Sequence, residues 1–181
     1  MHAMLVDAGC SDLDVQECHL PWQAPGGRLN RQPQCAKSDF FTRPLSSAAI
    51  GTLLRGMENL RGVPGARGGS GAVLLDALGG AVNRVEAGAT AFIHRNALFM
   101  AQYTSDWTGG ASSLGVGNQH AWLRSLWQSM RPHASGQAYQ NYIDPDLAEW
   151  RQAYYGANHT RLVNVKHAYD PSGLFSFPQA I

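Results

Sequence analysis

Side chains that could take part in catalysis are concentrated between Tyr139 and Asp144. A phenol has a pKa of about 10, so Tyr142 is a poor base at neutral pH unless a neighbouring group accepts its proton. The amide of Asn141 can both donate and accept hydrogen bonds. Residue types alone favour structural roles, with Tyr142 a packed aromatic and Asn141 a turn residue. A chemical role for this segment therefore needs a further argument.

Other familiar reaction motifs are incomplete. The run Gly68–Ala72 approximates the turn that carries a nucleophilic serine, but its final glycine is missing and no strand-to-helix turn follows. The same glycine-rich stretch lacks the Lys-Ser/Thr pair of a phosphate-binding loop. The seven histidines are spread along the chain without the i, i+4 spacing of a metal-binding helix. Serine hydrolysis, phosphate binding and metal catalysis are not supported.

Composition limits the fold class and the partners that can be expected. The chain has 181 residues, 44% of them hydrophobic and 15% charged, which suits one ordinary globular core. A formal net charge of +1 gives no reason to expect nucleic acid or an anionic membrane as a partner. No apolar run is long enough for a membrane helix, and the start of the chain lacks the pattern of a secretory signal, so no compartment can be named. Cys10, Cys18 and Cys35 allow one disulfide without predicting it.

The elements that must position these residues are strands followed by helices. We expect short strands at 38–41, 72–75, 81–85 and 97–104, too closely spaced for βαβ crossovers and therefore antiparallel. A glycine-rich loop is expected at 62–71. Helix signals follow Ser46 and Ser47, with Ile50, Leu53, Leu54, Met57 and Leu60 on one face. The predicted fold is α+β, an antiparallel sheet covered on one face by helices.

Three more helices are expected in the second half of the chain. One runs from Asn118 to Pro132, with its apolar face formed by Trp122, Leu123, Leu126, Trp127 and Met130. Asp144 and Pro145 predict the start of a second, which would carry Leu147, Trp150 and Tyr154 and end at Gly156. Asn158 is expected to cap the third, although it also begins a glycosylation sequon. That helix would present Leu162, Val165 and Tyr169.

The C-terminal quarter resembles one family. The pattern consists of Tyr139 to Asp144, Trp150, the run Tyr154 to Gly156, Asn158, Arg161, Leu162, Lys166, Tyr169, Asp170, Pro171, Phe175, Pro178, Gln179 and Ile181. It resembles the C-terminal domain of berberine bridge enzyme-like oxidases, in the vanillyl-alcohol-oxidase group of flavoenzymes. Two earlier blocks resemble the family's substrate domain, one comprising Asp76, Gly79, Gly80, Thr90, Ala91, Phe92, His94, Arg95, Tyr103 and Trp107, the other Lys37 to Phe40, Pro44 and Leu45.

The resemblance implies an FAD-linked oxidoreductase acting on an alcohol or related C–H donor. It implies Tyr142 as the catalytic base, Asp76 as the group that takes its proton, and Tyr139 and Asn141 as flavin contacts. Because side chains alternate along a strand, only one of Gln102 and Tyr103 can face a substrate, and Gln102 is the expected one.

The family's FAD-binding domain, with its covalent His and Cys tether, has no counterpart in these residues. The resemblance thus implies a flavin domain supplied by another stretch of polypeptide, and a small-molecule substrate. The expected division is an irregular segment at 1–37, a substrate domain at 38–134 and the flavin-facing segment at 135–181. A helical tail would pack on the flavin domain.

Two features of the expected substrate face depart from relatives. Ala72 and Leu74 are apolar where sugar-oxidising relatives present polar groups, which favours a less polar substrate. At 99–101 the chain offers no glutamate of the kind some plant relatives use as base. The alternative reading of the whole chain is a noncatalytic remnant or binding module that keeps the fold without redox chemistry.

Overall fold

The computed structural model describes residues 33–63, 69–107 and 110–181. Within them the fold is α+β, as the sequence predicts, with three antiparallel strands in the order β1-β3-β2. The elements in chain order are β1 Gln34–Phe41, α1 Ser47–Asn59, β2 Gly69–Ala77, β3 Phe99–Trp107, α2 Ser113–Met130, α3 Trp150–Tyr155 and α4 His159–Tyr169. The expected division at residues 37 and 134 stays a prediction.

The register of the sheet sorts its residues onto two faces. Lys37 lies opposite Tyr103 and Ser38 opposite Gln102 across β1 and β3, while Leu74 of β2 flanks Gln102 from the other side. Because neighbouring residues on a strand point to opposite faces, Tyr103 and Gln102 face different sides of the sheet. We call the side of Tyr103 the helix face and the side of Gln102 the open face.

Helices α1 and α2 cover the helix face. Ser46 accepts a hydrogen bond from the Ala49 amide, which confirms it as the cap of α1. Helix α2 begins at Ser113, earlier than expected, because Ser112 caps it through the Gly115 amide. The core of this face is formed by Phe41, Ala101, Tyr103, Trp122, Leu123, Leu126 and Met130.

Two details of these helices refine the sequence prediction. Trp127 of α2 is partly buried and packs against the same core. The apolar face of α1 is narrower than expected: Leu53, Met57 and Leu60 pack on the core, but Ile50 and Leu54 are exposed.

A smaller cluster covers part of the open face. Phe40, Ala97 and Met100 are buried there, with Leu78, Phe92, Tyr139 and Tyr142 packed around them. The expected strand at 81–85 is wrong, since the chain forms a 3-10 turn at Val82–Arg84. Gly79 and Gly80 both have positive φ, of 133° and 54°, which turns the backbone away from a strand. The Asn83 amide then holds the turn to the Ala97 carbonyl oxygen at 2.8 Å.

The C-terminal helices differ from expectation at their starts. The helix predicted from Asp144 begins only at Trp150, and residues 145–149 lie mostly in turns. The Asp144 carboxylate accepts from Lys37 and from the Asp146 amide. Gly156 ends this helix with positive φ, as predicted. Asn158 precedes α4 but its side chain does not cap it, so that interpretation is wrong. Its amide instead donates to the carbonyl oxygens of Ala87 and Thr90.

The remaining expectations concern the surface and the ends. Helix α4 has no buried residue, and Tyr169 is 87% exposed. No helix in the described ranges combines the length and hydrophobicity needed to cross a membrane. Cys10, Cys18 and residues 64–68 of the expected 62–71 loop lie outside the described residues, and 69–71 belong to β2. Cys35 is half-buried, and burial raises its pKa to about 11, with the Lys37 charge opposing this shift and the charges of Asp144 and Asp146 adding to it.

Candidate functional site

The open face brings two predicted site residues, Asp76 and Gln102, onto one surface. Asp76 on β2 lies opposite Met100 on β3, and Met100 in turn lies opposite Phe40 on β1. Gln102 is two residues farther along β3 and points the same way. Tyr103, on the helix face, is fully buried, so Gln102 is the member of the pair that can meet a ligand.

The segment after α2 places the phenols and the amide over this surface. Tyr139 and Tyr142 meet edge to face, with ring centroids 5.2 Å apart. The Tyr142 amide donates to the Tyr139 carbonyl oxygen at 3.0 Å, which closes a turn between them. Within that turn the exposed Asn141 amide donates to the Tyr139 hydroxyl at 2.9 Å. Tyr139, Asn141 and Tyr142 therefore form one compact group.

Asp76 and Tyr142 are coupled electrostatically. Tyr142 is half-buried, and this burial, then the charges of Asp76 and of the Tyr139 phenol, raise the pKa of its phenol above the usual value. A carboxylate opposes a second negative charge nearby, so it disfavours the tyrosinate and favours the neutral phenol. The structure therefore brings together two residues that are far apart in sequence, and it keeps Tyr142 protonated at neutral pH.

A cavity of about 650 Å³ opens beside this group. Gln102, Asn141 and Tyr142 line it together with Cys35, Lys37, His120 and Asp144. Asp76 is not part of this lining and approaches Tyr142 from the β2 side. A larger cavity of about 770 Å³ lies between α1 and α2, but it contains no predicted site residue. The smaller cavity is thus the candidate ligand site.

Sequence reasoning missed the ion pair behind the site. The Lys37 ammonium donates to both carboxylate oxygens of Asp144, at 2.7 and 2.9 Å, and to Asp146 at 3.3 Å. Lys37 and Asp144 are both buried. Although its own slight burial acts the other way, hydrogen bonds and charge from Lys37 and Arg124 lower the pKa of Asp146. No local pattern links positions 37 and 144, and Lys37 carried no assigned role in the family resemblance.

Two buried ionisable groups lie on opposite faces of the sheet. His94 stacks on Phe40 under the open face, with ring centroids 3.8 Å apart, and burial lowers its pKa to about 4. Asp39 is fully buried on the helix face, where it accepts a hydrogen bond from Arg131 at 2.6 Å. Burial outweighs the Arg131 charge and raises the Asp39 pKa to about 7. Desolvation therefore keeps His94 neutral at pH 7, whereas Asp39 is close to half protonated there.

Metal chemistry has no ligand set in the described part of the chain, where no group of three His, Cys, Asp or Glu side chains is placed to hold an ion. The chemistry available is that of phenols, an amide and a carboxylate beside a cavity. Such a set can hydrogen-bond the polar edge of a ring and move a proton.

Comparison with known proteins identifies the family. Residues 138–181 match the family described as "Berberine and berberine like". An uncharacterized FAD-linked oxidoreductase of Bacillus subtilis is 36% identical over 163 residues, covering 88% of this chain and 33% of its own length. The chain thus spans about a third of this curated relative.

Solved structures agree with the sequence match. A variant of BBE-like 1 from Physcomitrella patens superposes with a TM-score of 0.72 at 33% identity, covering 88% of this chain and 32% of its own. A glycopeptide hexose oxidase complexed with teicoplanin superposes with a TM-score of 0.73 at 28% identity, covering 88% and 34%. By its matched segment, its relatives and its fold, the chain corresponds to about a third of a berberine bridge enzyme-like FAD-linked oxidoreductase.

Proposed function

We propose that this chain supplies the substrate site and the proton-accepting residues of an FAD-linked oxidase that acts on an alcohol or related C–H donor. The flavin-binding region is furnished by another stretch of polypeptide. The observation that carries the proposal is the electrostatic coupling of Asp76 with Tyr142 beside a cavity lined by Gln102 and Asn141.

The donor set suits a flavin. A flavin ring presents flat aromatic faces and a polar edge with both acceptors and a donor. Asn141 is exposed, and its amide has a second hydrogen and an oxygen besides the hydrogen donated to Tyr139. The Tyr139 ring stands beside Phe40 and Phe92, with centroids 6.1 Å away from each. Tyr139 and Asn141 are therefore the residues that would hold the ring.

FAD, when bound, supplies the acceptor for the hydride, and the chain's own residues handle the proton. Because its pKa is raised, Tyr142 enters the reaction as a neutral phenol and cannot serve as a pre-formed tyrosinate. It can accept the substrate's hydroxyl proton only as its own proton passes to Asp76. The substrate then loses one proton to this pair and one hydride, a two-electron oxidation.

Gln102 and the cavity would bind and orient the substrate. The Gln102 amide can hydrogen-bond a substrate oxygen from the sheet, while Ala72 and Leu74 on the same face offer apolar contact. Leu74 is 44% exposed, so an apolar group of the substrate could cover it. This face suits a substrate with one polar group at the reacting carbon and an apolar remainder.

Complementation tests the proposal. The 181-residue chain is mixed with FAD and the flavin-binding region of a berberine bridge enzyme-like relative, and the visible flavin absorbance of the gel-filtered complex is recorded. We expect a yellow complex that bleaches when a suitable alcohol is added without oxygen. Asn141→Ala should release flavin more readily, whereas Gln128→Ala, a matched amide deletion on the exposed side of α2, should not.

Two outcomes would contradict the proposal. A complex that never retains flavin, with flavin regions from several relatives, would favour a noncatalytic remnant or binding module. A complex that retains flavin, but whose flavin no alcohol or related donor reduces, would be consistent with flavin binding. It would contradict the proposed proton-accepting roles of Tyr142 and Asp76.

A further inference from the structure

The segment that carries the proposed site residues has no regular structure of its own. Residues 139–144 lie between the end of α2 and the start of α3 and form neither helix nor strand. Tyr142 and Asn141 can keep a fixed geometry only if both ends of this segment are tied to rigid elements. The structure shows such a tie at each end, and both are made by neighbouring residues of β1.

The front end is tied to the backbone of β1. The Phe40 amide donates to the Gln137 carbonyl oxygen at 3.2 Å, and the Ser135 amide donates to the Phe40 carbonyl oxygen at 2.9 Å. The Tyr139 amide then donates to the Ser38 hydroxyl at 2.8 Å. These bonds lay the chain along the strand immediately before the turn that holds Asn141.

The rear end is tied through Asp144, which is buried with only 4% exposure. Its two carboxylate oxygens accept from Lys37, the residue beside Ser38 on β1. Its amide donates to the Tyr154 hydroxyl of α3 at 2.9 Å, and its carbonyl oxygen accepts from Gln179 at 2.8 Å. Asp144 thus joins a strand, a helix and the C-terminal segment two residues after Tyr142.

Lys37 is the charged half of this junction. Its side chain is 6% exposed and its ammonium lies 4.9 Å from the centre of the Trp127 ring. Breaking a buried ion pair by removing one partner leaves the other charge without compensation in a poorly hydrated place. Without Lys37, the Asp144 carboxylate would therefore move toward water and pull the preceding residues with it.

We propose that Lys37, acting through Asp144, is a positioning residue that fixes Asn141 and Tyr142 over the open face of the sheet. Lys37 does not touch the reacting groups in this assignment. Its importance for catalysis depends on the proposed function, but its effect on the segment does not.

The 181-residue chain itself gives the first test. In Lys37→Met, we expect amide hydrogen exchange at 139–146 to speed up by about tenfold or more relative to exchange in β3, because the segment opens locally. The Tyr142 phenol, followed by NMR with ¹³C-tyrosine, should titrate at lower pH than in the wild type, since burial and Asp76 raise its pKa only in the fixed geometry.

Matched variants separate positioning from general loss of stability. Leu126→Ala destabilises the core on the other face and should leave the Tyr142 titration unchanged. Lys166→Met removes a lysine of α4 that pairs with Asp170, just after that helix, and should leave exchange at 139–146 unchanged. Lys37→Arg, which keeps the charge, should restore most of the Tyr142 shift.

The double variant Lys37→Met, Asp144→Asn tests whether Lys37 acts through Asp144. If Lys37 acts through Asp144, the segment of the double variant should exchange no faster than that of Lys37→Met alone. Should Lys37→Met fail to fold, this neutral double variant and Lys37→Arg still report on the segment. The proposal is overturned by a Lys37→Met variant with a lower melting temperature in which two other quantities do not change. These are the rate of amide exchange at 139–146 relative to that in β3, and the pH at which Tyr142 titrates.

The complemented enzyme gives a second, separable test. In a complex that retains flavin, Lys37→Met should lower kcat for the alcohol by about tenfold or more with a smaller change in KM, because the misplaced residues act on proton transfer rather than on binding. Normal segment mobility with lost activity would count against Lys37 as a positioning residue. An altered segment in a chain that never supports flavin reduction would instead contradict the proposed function alone.

Discussion

The two faces of the sheet differ in how much apolar packing holds them. On the helix face, Tyr103, Leu123 and Leu126 are at most 2% exposed and lie in a large apolar core, which hydrogen bonds such as that of Trp122 to the Gly56 carbonyl oxygen supplement. The open face has a smaller apolar cluster around Phe40 and is otherwise covered by loops held through side-chain hydrogen bonds and aromatic stacking. Beyond this cluster, polar groups on the open face are exposed to solvent. Residues on the helix face thus mainly stabilise the fold, and residues over the open face form the proposed site.

The largest expected difference is in stability after the same truncation on each face. Leu126→Ala should lower the free energy of unfolding by about 2–5 kcal/mol. The Leu126 side chain fills the space over Gly56, and its truncation would leave a cavity there. Leu74→Ala should change it by less than about 0.5 kcal/mol, since Leu74 is largely exposed. Urea unfolding of the two variants checks this, and an equal loss in both would show that the open face is also a sealed core.

The pH dependence of stability should have opposite signs on the two faces. The folded pKa of Asp39, about 7, exceeds its unfolded value, so its contribution is present in full below about pH 4 and is lost as pH rises through 7. The folded pKa of His94, about 4, is below its unfolded value, so its contribution is present above about pH 6.5 and is lost as pH falls through 4.

Between about pH 4 and 6.5 these contributions oppose each other in the wild type. Asp39→Asn should therefore lose stability more steeply than the wild type as pH falls, by about 3 kcal/mol over the window. His94→Gln should show the reverse slope. Urea titrations at several pH values measure both slopes. If the unfolding free energy of a variant varies with pH in parallel with that of the wild type, the substituted group does not contribute to the pH dependence.

The same substitution of tyrosine on each face should separate chemistry from packing. In the flavin-containing complex, Tyr142→Phe should slow substrate-driven flavin reduction by about 100-fold or more, the scale of a lost proton-transfer residue. Tyr103→Phe removes a buried hydroxyl on the helix face and should leave that rate nearly unchanged. Stopped-flow reduction without oxygen compares them, and an unchanged rate in Tyr142→Phe would require another base.

The difference between the faces also explains what the sequence predicts. The helix face follows from local patterns: Ser46 caps α1, and Leu123, Leu126 and Met130 recur at helical spacing because one side of α2 must be buried. The segment over the open face depends on partners distant in sequence. Its last residue, Asp144, is tied to Lys37 of β1, 107 positions earlier in the chain, and the helix predicted from Asp144 begins only at Trp150.

The site shows the same limit. No spacing rule brings Asp76 next to Tyr142 or pairs position 37 with position 144. Only the family resemblance indicated Asp76 and Tyr142 together, and their pairing in catalysis stays a prediction, although the Asp76 charge adds to the burial that raises the pKa of the phenol. The alternation of Gln102 and Tyr103 was readable from the strand alone, because a period of two needs no distant partner.

Asn158 offers the smallest but most discriminating experiment on how the open face is held. Its amide donates to the carbonyl oxygens of Ala87 and Thr90, at 2.7 and 2.8 Å, and so ties the loop before β3 to the start of α4. Asn158→Ala should cost about 1 kcal/mol in urea unfolding. Asn158→Asp should cost at least as much, because a carboxylate cannot donate and would face two carbonyl oxygens.

A true helix cap behaves in the opposite way, since aspartate accepts hydrogen bonds from helix amides as well as asparagine or serine does. Ser46→Asp, at the confirmed cap of α1, should therefore keep the unfolding free energy within about 0.5 kcal/mol of the wild type. If Asn158→Asp were as stable as the wild type, Asn158 would be acting as the cap that its sequence position suggests. The loop over the open face would then be held by its apolar cluster and by the remaining hydrogen bonds, such as that of Arg161 to the Gly88 carbonyl oxygen.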